Sequence, residues 1–297
     1  MHDISTSAIN LLPVTLRKRP PGLRSFRLEL PSGVAEVRTP EISNKDILPV
    51  VIFLHGAGHV DGGAMDVLCR KVSSEKFILL APSAYRDSWD ILRGGWGEDV
   101  AALNEQLNWL REHYMIDDNR ISMLGFSDGA SYALILCVRN PVISCAAALS
   151  PGFYLGNAQS SSLFISHAQN DNVLSFSGAQ RLRTQLLEEG ANVTFMMHDA
   201  GHSCPEMVVT IVSSFCLDNA IPPGIINTNV YSRLPINPFY LIFIFISTRE
   251  SLFTVCLIFK ISIFKDSENG TQETCLASFS LTNDIYTLLL GKICFIS

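Results

Sequence analysis

The sequence has little charge and no cluster of basic residues. Charged residues occupy 17% of the 297 positions, the formal net charge is −6, and no long run of lysine or arginine occurs. Proteins that bind nucleic acid usually carry a strongly basic surface, so this composition argues against nucleic-acid binding. Hydrophobic residues make up 47% of the chain. This is a globular composition, and the length allows one large domain or two small ones with a well-buried core.

Paired cysteines and metal-binding signatures are also missing. The eight cysteines are scattered, none forms a CxxC pair, and no HExxH stretch occurs. Zinc and dithiol sites usually require such spacings, so we expect no metal site, no redox centre and no cofactor. Several cysteines lie in apolar stretches, where a reduced thiol acts as a small hydrophobe. Reduced thiols favour a cytoplasmic location.

The C-terminal quarter differs in composition from the rest of the chain. All three tryptophans precede residue 110, whereas eight of the 17 phenylalanines lie in the last 59 positions. The longest uncharged apolar run there, from Pro238 to Thr248, is too short for a membrane-spanning helix, which needs about 20 such residues. We predict that residues 220–297 form an extension outside the domain, for example from an alternative reading of the gene. A membrane span, a peripheral membrane hairpin and a partner-binding strip are the alternatives.

The N-terminal region lacks a secretory signal. Met1 to Pro21 has no basic stretch followed by an apolar one, the layout that directs secretion. Three basic residues at positions 17–19 follow a mildly apolar segment, which leaves organelle targeting as an alternative. We predict a flexible leader at residues 1–24 and one domain at residues 25–219. The sequence gives no indication of the oligomeric state.

Between residues 25 and 217, short apolar runs alternate with amphipathic stretches. In the helix predicted at Glu98–Met115, the apolar residues Val100, Leu103, Leu107 and Leu110 recur at intervals of three and four, as on one helix face. Strands that alternate with helices of this length indicate an α/β fold with a mainly parallel sheet flanked by helices. The predicted strands are Ser25–Leu30, Val34–Arg38, Leu48–Leu54, Phe77–Ala81, Arg120–Leu124, Ser144–Leu149, Ser162–Ser166 and Ala191–His198, and the other predicted helices are Gly129–Val138, Ala179–Glu189 and Pro205–Phe215.

A GxSxG pattern, Gly125-Phe126-Ser127-Asp128-Gly129, stands where a predicted strand meets a predicted helix. In that setting the turn is tight enough to strain the serine backbone, and the two glycines let strand and helix approach each other. The serine hydroxyl is then exposed above the sheet, beside a helix N-terminus that favours negative charge. We predict Ser127 as a catalytic nucleophile. The alternative is an ordinary glycine-rich turn.

A second glycine-rich loop, His55-Gly56-Ala57-Gly58, directly follows the strand predicted at Leu48–Leu54. A loop in this place can donate one backbone N–H to the oxyanion of an acyl-transfer reaction, and the residue after the nucleophile donates another. We therefore predict the amides of Ala57 and Asp128 as the oxyanion hole. Gly56 and Gly58 would let the loop approach a substrate, while the ring of His55 would brace the loop.

The rim of this predicted site is less well defined by the sequence. His59 and Asp61 follow the glycine-rich loop and are candidates to line the rim. The segment Tyr85–Gly97 contains Trp89 and Trp96 together with three glycines. This segment either covers a pocket, with Trp96 against the substrate, or packs as a surface loop.

A serine hydroxyl becomes a good nucleophile only when a base removes its proton and a third group orients that base. Asp171 lies in the loop after the strand Ser162–Ser166, and His202 lies in the loop after the strand Ala191–His198. We predict Asp171 as the acid and His202 as the base, because sites in parallel sheets form where strands end. His167 is predicted to be structural and Asp199 to be a turn residue.

In this order, the motifs HGAG, GFSDGASYAL, HAQND and GHS resemble the phospholipase/carboxylesterase family of α/β hydrolases, which includes acyl-protein thioesterases. The stretch GWGEDVAALNEQLNWLREHYMIDDNRISMLGFSDG resembles the polyhydroxybutyrate-depolymerase-like and feruloyl-esterase-like branch more closely. The resemblance covers roughly residues 25–217. It implies the α/β-hydrolase fold and a Ser127–Asp171–His202 triad that cleaves small-molecule carboxylic esters or thioesters without a cofactor.

Three departures from the family pattern bear on the substrate. Asp128 follows the serine where many relatives have Gln, Asn or His, and Ala168 stands where Gly is common. The first motif continues as HGAGHV, where thioesterases usually carry an acidic residue soon after the glycine. None of these removes an atom of the predicted triad. The alternatives to an esterase are a serine peptidase of the same fold, a non-catalytic ligand receptor, and a form that its C-terminal extension makes inactive or attaches to a membrane.

Overall fold

The computed structural model describes residues 7–15, 17–22, 24–41, 46–218, 224–227, 244–248, 251–256, 258–262 and 274–278. The chain divides into two compact units, residues 1–233 and 234–297. All candidate site residues lie in the first unit. The second unit contains two antiparallel strand pairs, β10 (Ile244–Thr248) with β11 (Ser251–Cys256) and β12 (Ile258–Ser262) with β13 (Thr274–Ser278).

A nine-stranded sheet forms the centre of the first unit, with the strand order β1-β2-β4-β3-β5-β6-β7-β8-β9. Strand β2 runs antiparallel to its neighbours β1 and β4. The remaining neighbours in the sheet, in the order β4-β3-β5-β6-β7-β8-β9, all pair in parallel. The mainly parallel sheet that the sequence predicts is therefore confirmed. The strands are β1 (Ser25–Leu30), β2 (Gly33–Arg38), β3 (Leu48–Leu54), β4 (Ile78–Pro82), β5 (Ile116–Phe126), β6 (Cys145–Leu149), β7 (Ser162–Ala168), β8 (Asn192–His198) and β9 (Gly224–Asn227).

Helices cover both faces of this sheet. Alternate residues of β3 (Val50, Ile52 and Leu54) join the main hydrophobic cluster with residues of α2, α3 and α4. On the other face α1 and α5 contact each other, and Phe215 of α5 packs on Phe164 of β7 with 5.4 Å between ring centroids. The helices are α1 (Ala64–Glu75), α2 (Glu98–His113), α3 (Asp128–Arg139), α4 (Phe176–Glu188) and α5 (Glu206–Asp218).

Two elements lie outside the sequence-based predictions. Helix α1 was not predicted, although its buried residues Val67, Leu68 and Val72 have helical spacing. Strand β9 pairs in parallel with β8 beyond residue 219, where the sequence analysis ends the domain. The predicted roles of residues 220–297 stay predictions. In the part of the chain that the structure describes, no helix has the length and apolar composition to cross a bilayer.

Candidate active site

The predicted nucleophile lies on a strained turn between β5 and α3. Ser127 has φ 55° and ψ −117°, a conformation that residues other than glycine rarely adopt. A Cβ atom on Gly125 would lie 2.1 Å from the carbonyl oxygen of Gly129, and one on Gly129 would lie 2.1 Å from that of Leu54. Both glycines are therefore required by backbone packing, which explains the GxSxG pattern physically.

The ring of His202 lies within hydrogen-bonding distance of both Ser127 and Asp171, the other two residues of the predicted triad. His202 Nε2 is 3.0 Å from Ser127 Oγ, and His202 Nδ1 is 2.7 Å from Asp171 Oδ2. The serine comes 75 positions before the histidine in the chain, and the aspartate 31 positions before it. Parallel pairing of β5, β6, β7 and β8 brings their carboxyl ends to one edge of the sheet, where the three loops meet.

The surroundings of Asp171 keep its carboxylate ionised. Its side chain is fully buried, and Oδ1 accepts hydrogen bonds from the amides of Val173 (2.8 Å) and Leu174 (2.9 Å). Burial by itself raises the pKa of Asp171, but the hydrogen bonds from His202, Leu174 and Val173 outweigh it and bring the pKa below its ordinary value. An ionised carboxylate at this position holds a proton on His202 Nδ1, which leaves Nε2 free to accept one.

Asn170 joins the loop that carries Asp171 to the loop that carries His202. Its Nδ2 donates to the carbonyl oxygen of Asp199 at 2.6 Å, and its Oδ1 accepts from the amide of Gly201 at 2.8 Å. The two residues that Asn170 contacts, Asp199 and Gly201, come shortly before His202 in the chain. The sequence analysis missed this role, because an asparagine beside the acid gives no local indication of a partner 29 to 31 positions away.

Two buried histidines, His167 and His198, lie behind the predicted triad. His167 Nε2 donates to the carbonyl oxygen of Leu174 at 2.9 Å and lies 3.5 Å from Asp171 Oδ2. His198 Nδ1 accepts from the amide of Ala200 at 3.3 Å. Burial lowers the pKa of His167, and it lowers the pKa of His198 to about 4. Both therefore serve as hydrogen-bonding supports, which is the structural role predicted for His167.

The glycine-rich loop after β3 lies directly against Ser127. A Cβ atom on Gly56 would lie 3.1 Å from the Cβ atom of Ser127. The amide of Gly56 donates to Val60 (2.6 Å) and that of Gly58 to Asp87 (2.7 Å), which fixes the loop as a short 3-10 helix over Ala57–His59. Among the described residues, no hydrogen bond engages the amide of Ala57 that the sequence analysis assigns to the oxyanion.

The ring of His55 braces this loop, as the sequence predicts. Its Nδ1 donates to the carbonyl oxygen of Gly56 at 2.7 Å, and its Nε2 accepts from the amide of Ala84 at 3.0 Å. Trp89 Nε1 in turn donates to the carbonyl oxygen of His55 at 2.9 Å. Burial lowers the pKa of His55, which keeps its ring in the neutral form that this pair of bonds requires.

The segment Tyr85–Gly97 is attached to both sides of the predicted oxyanion hole. Ser88 Oγ donates to Asp128 Oδ2 at 2.6 Å, and the carbonyl oxygen of Asp87 accepts from Gly58. Trp89 is buried and stacks on Tyr132 of α3 with 5.1 Å between ring centroids. The part of the segment that contains Asp87, Ser88 and Trp89 therefore packs against the predicted oxyanion hole. The sequence analysis did not identify the contribution of Ser88.

Of the residues predicted at the rim, His59 is exposed, whereas Asp61 and Trp96 contact other parts of the chain. His59 is exposed, and its ring lies 4.3 Å from that of His55. Asp61 accepts from the amides of Gly63 and Met65 at the start of α1, so its carboxylate supports that helix. Trp96 is half-buried against Tyr132, with the guanidinium of Arg139 5.2 Å from its ring centroid. Substrate contact by His59 and Trp96 stays a prediction.

Comparisons with known proteins give similarity in structure only. No protein-family model matches the chain, and neither does any curated protein sequence. A fluorophosphonate-binding serine hydrolase of Staphylococcus aureus superposes with a TM-score of 0.52 at 13% identity, over 65% of this chain and 98% of that one. An acylaminoacyl peptidase of Pyrococcus horikoshii superposes with a TM-score of 0.51 at 15% identity, over 65% of this chain.

The chain has the α/β-hydrolase fold. This confirms the fold class that the sequence resemblance implies. The match spans only 41% of the acylaminoacyl peptidase chain, which is longer than this one. At such low identity the similarity shows the fold alone.

Proposed function

We propose that the chain is a serine hydrolase that cleaves carboxylic esters or thioesters through an acyl-enzyme intermediate. One observation carries the proposal: Ser127 Oγ, the ring of His202 and the Asp171 carboxylate form a continuous hydrogen-bonded series with distances of 3.0 and 2.7 Å. The strained backbone of Ser127 at the tip of β5 adds to it, because such strain is maintained where a side chain has to be presented to a substrate.

The proposed reaction proceeds by two acyl transfers. His202 Nε2 takes the proton of Ser127 as the serine oxygen attacks the carbonyl carbon, and the amides of Ala57 and Asp128 donate to the oxyanion. His202 then gives the proton to the departing alcohol or thiol, which leaves an acyl-serine. A water molecule, deprotonated by the same histidine, attacks the acyl-serine, and the carboxylic acid is released as Ser127 regains its proton.

Covalent labelling tests the proposal. The full chain is incubated with a fluorophosphonate probe, which phosphonylates a serine activated by a neighbouring base. Labelling should occur on Ser127 and should be lost in Ser127→Ala and His202→Ala. Ser74→Ala, at an exposed serine of α1, is the matched control and should label like the wild type. A folded wild-type protein that stays unlabelled would contradict the proposal.

Ester and thioester cleavage has to be separated from peptide cleavage, because one of the similar structures is an acylaminoacyl peptidase. A panel of p-nitrophenyl esters, acyl thioesters and N-acylated peptides on the same preparation makes the distinction. We expect turnover of esters or thioesters that Ser127→Ala abolishes. Turnover of peptides alone would favour the peptidase, and binding of an ester without turnover would favour a ligand receptor.

A further inference from the structure

Part of the N-terminal region lies along α2 and is held there by asparagine side chains. We call residues 7–12 the strap; the sequence analysis places them within a flexible leader. Their main-chain groups bond to Asn104 and Asn108 on α2 and to Asn140 at the C-terminal end of α3. Nothing in the proposed hydrolase reaction uses these three asparagines.

The two asparagines of α2 each make a two-point contact with the strap. Asn104 accepts from the amide of Asn10 (2.7 Å) and donates to the carbonyl oxygen of Ala8 (2.9 Å). Asn108 accepts from the amide of Leu12 (2.8 Å) and donates to the carbonyl oxygen of Asn10 (2.8 Å). Side chains four positions apart lie on the same face of a helix, so the two amides reach main-chain groups two residues apart.

Asn140 makes the same kind of contact from the opposite side. Its Oδ1 accepts from the amide of Ile9 at 2.7 Å, and its Nδ2 donates to the carbonyl oxygen of Ser7 at 3.0 Å. The same Nδ2 also donates to the carbonyl oxygen of Leu136 at 2.8 Å, which anchors the side chain at the end of α3. Both edges of the strap are therefore bonded to asparagine amides from two different helices.

The bonding alternates along the strap as it does along a β-strand. Main-chain groups of residues 8, 10 and 12 bond to α2, whereas those of residues 7 and 9 bond to Asn140. In an extended chain, successive residues direct their main-chain groups to opposite edges. The side chains alternate too: Ile9 is buried in the main hydrophobic cluster and Leu11 packs partly against it, while Asn10 and Leu12 are exposed.

We propose that Asn104, Asn108 and Asn140 form a binding site for the backbone of an extended polypeptide, and that this site accepts the strap of a second copy of the chain as well as its own. All six hydrogen bonds are made with main-chain atoms of the strap. These atoms are the same whether the strap belongs to the same copy of the chain or to a second one. The side-chain requirement is an aliphatic residue at alternate positions, and the strap of a second copy satisfies it with Ile9 and Leu11.

A full-length chain with a weakened strap tests the proposal. Asn10→Pro combined with Leu12→Pro removes the two N–H groups that donate hydrogen bonds to Asn104 and Asn108. A fluorescent peptide with the sequence of residues 6–14 is added, and its binding is measured by anisotropy. We expect saturable binding that weakens at least about tenfold when Asn104 and Asn108 are also changed to alanine. Asn119→Ala, at an exposed position of β5, should leave binding unchanged.

Modified peptides separate backbone recognition from side-chain recognition. N-methylation at positions 10 and 12 should weaken binding at least about tenfold, because each methyl group replaces a bonded hydrogen. Serine in place of both exposed side chains, Asn10 and Leu12, should leave the affinity within about threefold. Absence of binding to the weakened-strap chain, or binding that is insensitive to both asparagine substitutions, overturns the proposal.

A second measurement on the unsubstituted chain covers the case in which the proline variant does not fold. Excess peptide should displace the chain's own strap and speed hydrogen exchange at the amides of Ile9, Asn10 and Leu12. Exchange at Asn192, whose amide bonds to Ser161 at 2.8 Å away from the strap, should stay constant. Unchanged exchange throughout the strap at saturating peptide would equally overturn the proposal.

Discussion

A Cβ atom on Gly129 would lie 2.1 Å from the carbonyl oxygen of Leu54, at the point where α3 crosses the end of β3. Both partners are main chain, so neither can move aside without shifting a helix or a strand. We expect Gly129→Ala to lower the free energy of unfolding by at least about 3 kcal/mol, the upper part of the range for overpacking. Urea denaturation measures the loss. Gly95→Ala, where a Cβ atom meets open space, should stay within about 0.5 kcal/mol of the wild type.

The strain at Ser127 predicts that glycine at this position makes the chain more stable than alanine does. With φ at 55° and ψ at −117°, the serine backbone is in a conformation that only glycine adopts readily. Strain of this kind costs about 1–3 kcal/mol. Ser127→Gly should therefore unfold at a higher temperature than Ser127→Ala, although both lack the hydroxyl. If the two variants melt at the same temperature, the turn is not strained.

The glycines around Ser127 show how far the sequence determines the site. Gly125 is required locally, because an added Cβ atom would meet Gly129 of the same strand–turn–helix element. Gly129 is required by Leu54 of β3, which is distant in the sequence, but the short GxSxG pattern includes both glycines. The order of the strands then brings Asp171 and His202 to the same edge as Ser127, so the proximity of these three candidate residues could be predicted from their positions after apolar runs.

The supporting contacts could not be predicted in the same way. Ser88 and Asp128 are 40 positions apart, and Asn170 reaches main-chain groups about 30 positions away, so nothing in the local sequence indicates a partner. Helix α1 differs from these contacts, because its buried residues Val67, Leu68 and Val72 have the helical spacing from which it could have been predicted. The strap illustrates the same limit, since its partners on α2 lie more than 90 positions further along the chain.

Replacing Asp171 by asparagine tests the role of its charge. The asparagine amide would donate to His202 Nδ1 and so favour the tautomer that carries its proton on Nε2, where it can no longer accept the serine proton. We expect kcat for an ester substrate to fall about 10⁴-fold at neutral pH, with the fold retained. Stopped-flow or long-time turnover assays measure the fall, and a loss smaller than about tenfold would show that the carboxylate does not orient the histidine.

The low pKa of His198 predicts a specific dependence of stability on pH. Because burial lowers its pKa to about 4 in the folded chain, the unfolded chain binds the proton first as the pH falls from the ordinary value of 6.5. The unfolded state then holds more protons between pH 6.5 and 4, so stability decreases with falling pH in this window. His167, also buried, acts in the same direction.

His198→Asn removes one of these two contributions and should flatten the loss of stability between pH 6.5 and 4. Asparagine retains an acceptor for the amide of Ala200. Urea unfolding at several pH values gives the slope for each variant. The control is Asn172→Ala, at an exposed side chain that carries no titrating group, which should keep the wild-type slope. A slope that is identical in His198→Asn and the wild type would refute the assignment of acid sensitivity to this histidine.

Asn170→Ala tests whether the loop contacts position the base. The substitution removes the bonds to the carbonyl oxygen of Asp199 and the amide of Gly201, which fix the chain just before His202. His202 should then leave its 3.0 Å contact with Ser127 for part of the time. We expect kcat to fall about 10- to 100-fold with KM nearly constant, because misplacement of a catalytic group affects the chemical step. The neighbouring Asn172→Ala, at an exposed position, should retain wild-type kcat. Equal rates for the two variants would mean that His202 is held by Asp171 alone, and a rise in KM without a change in kcat would place Asn170 in substrate binding instead.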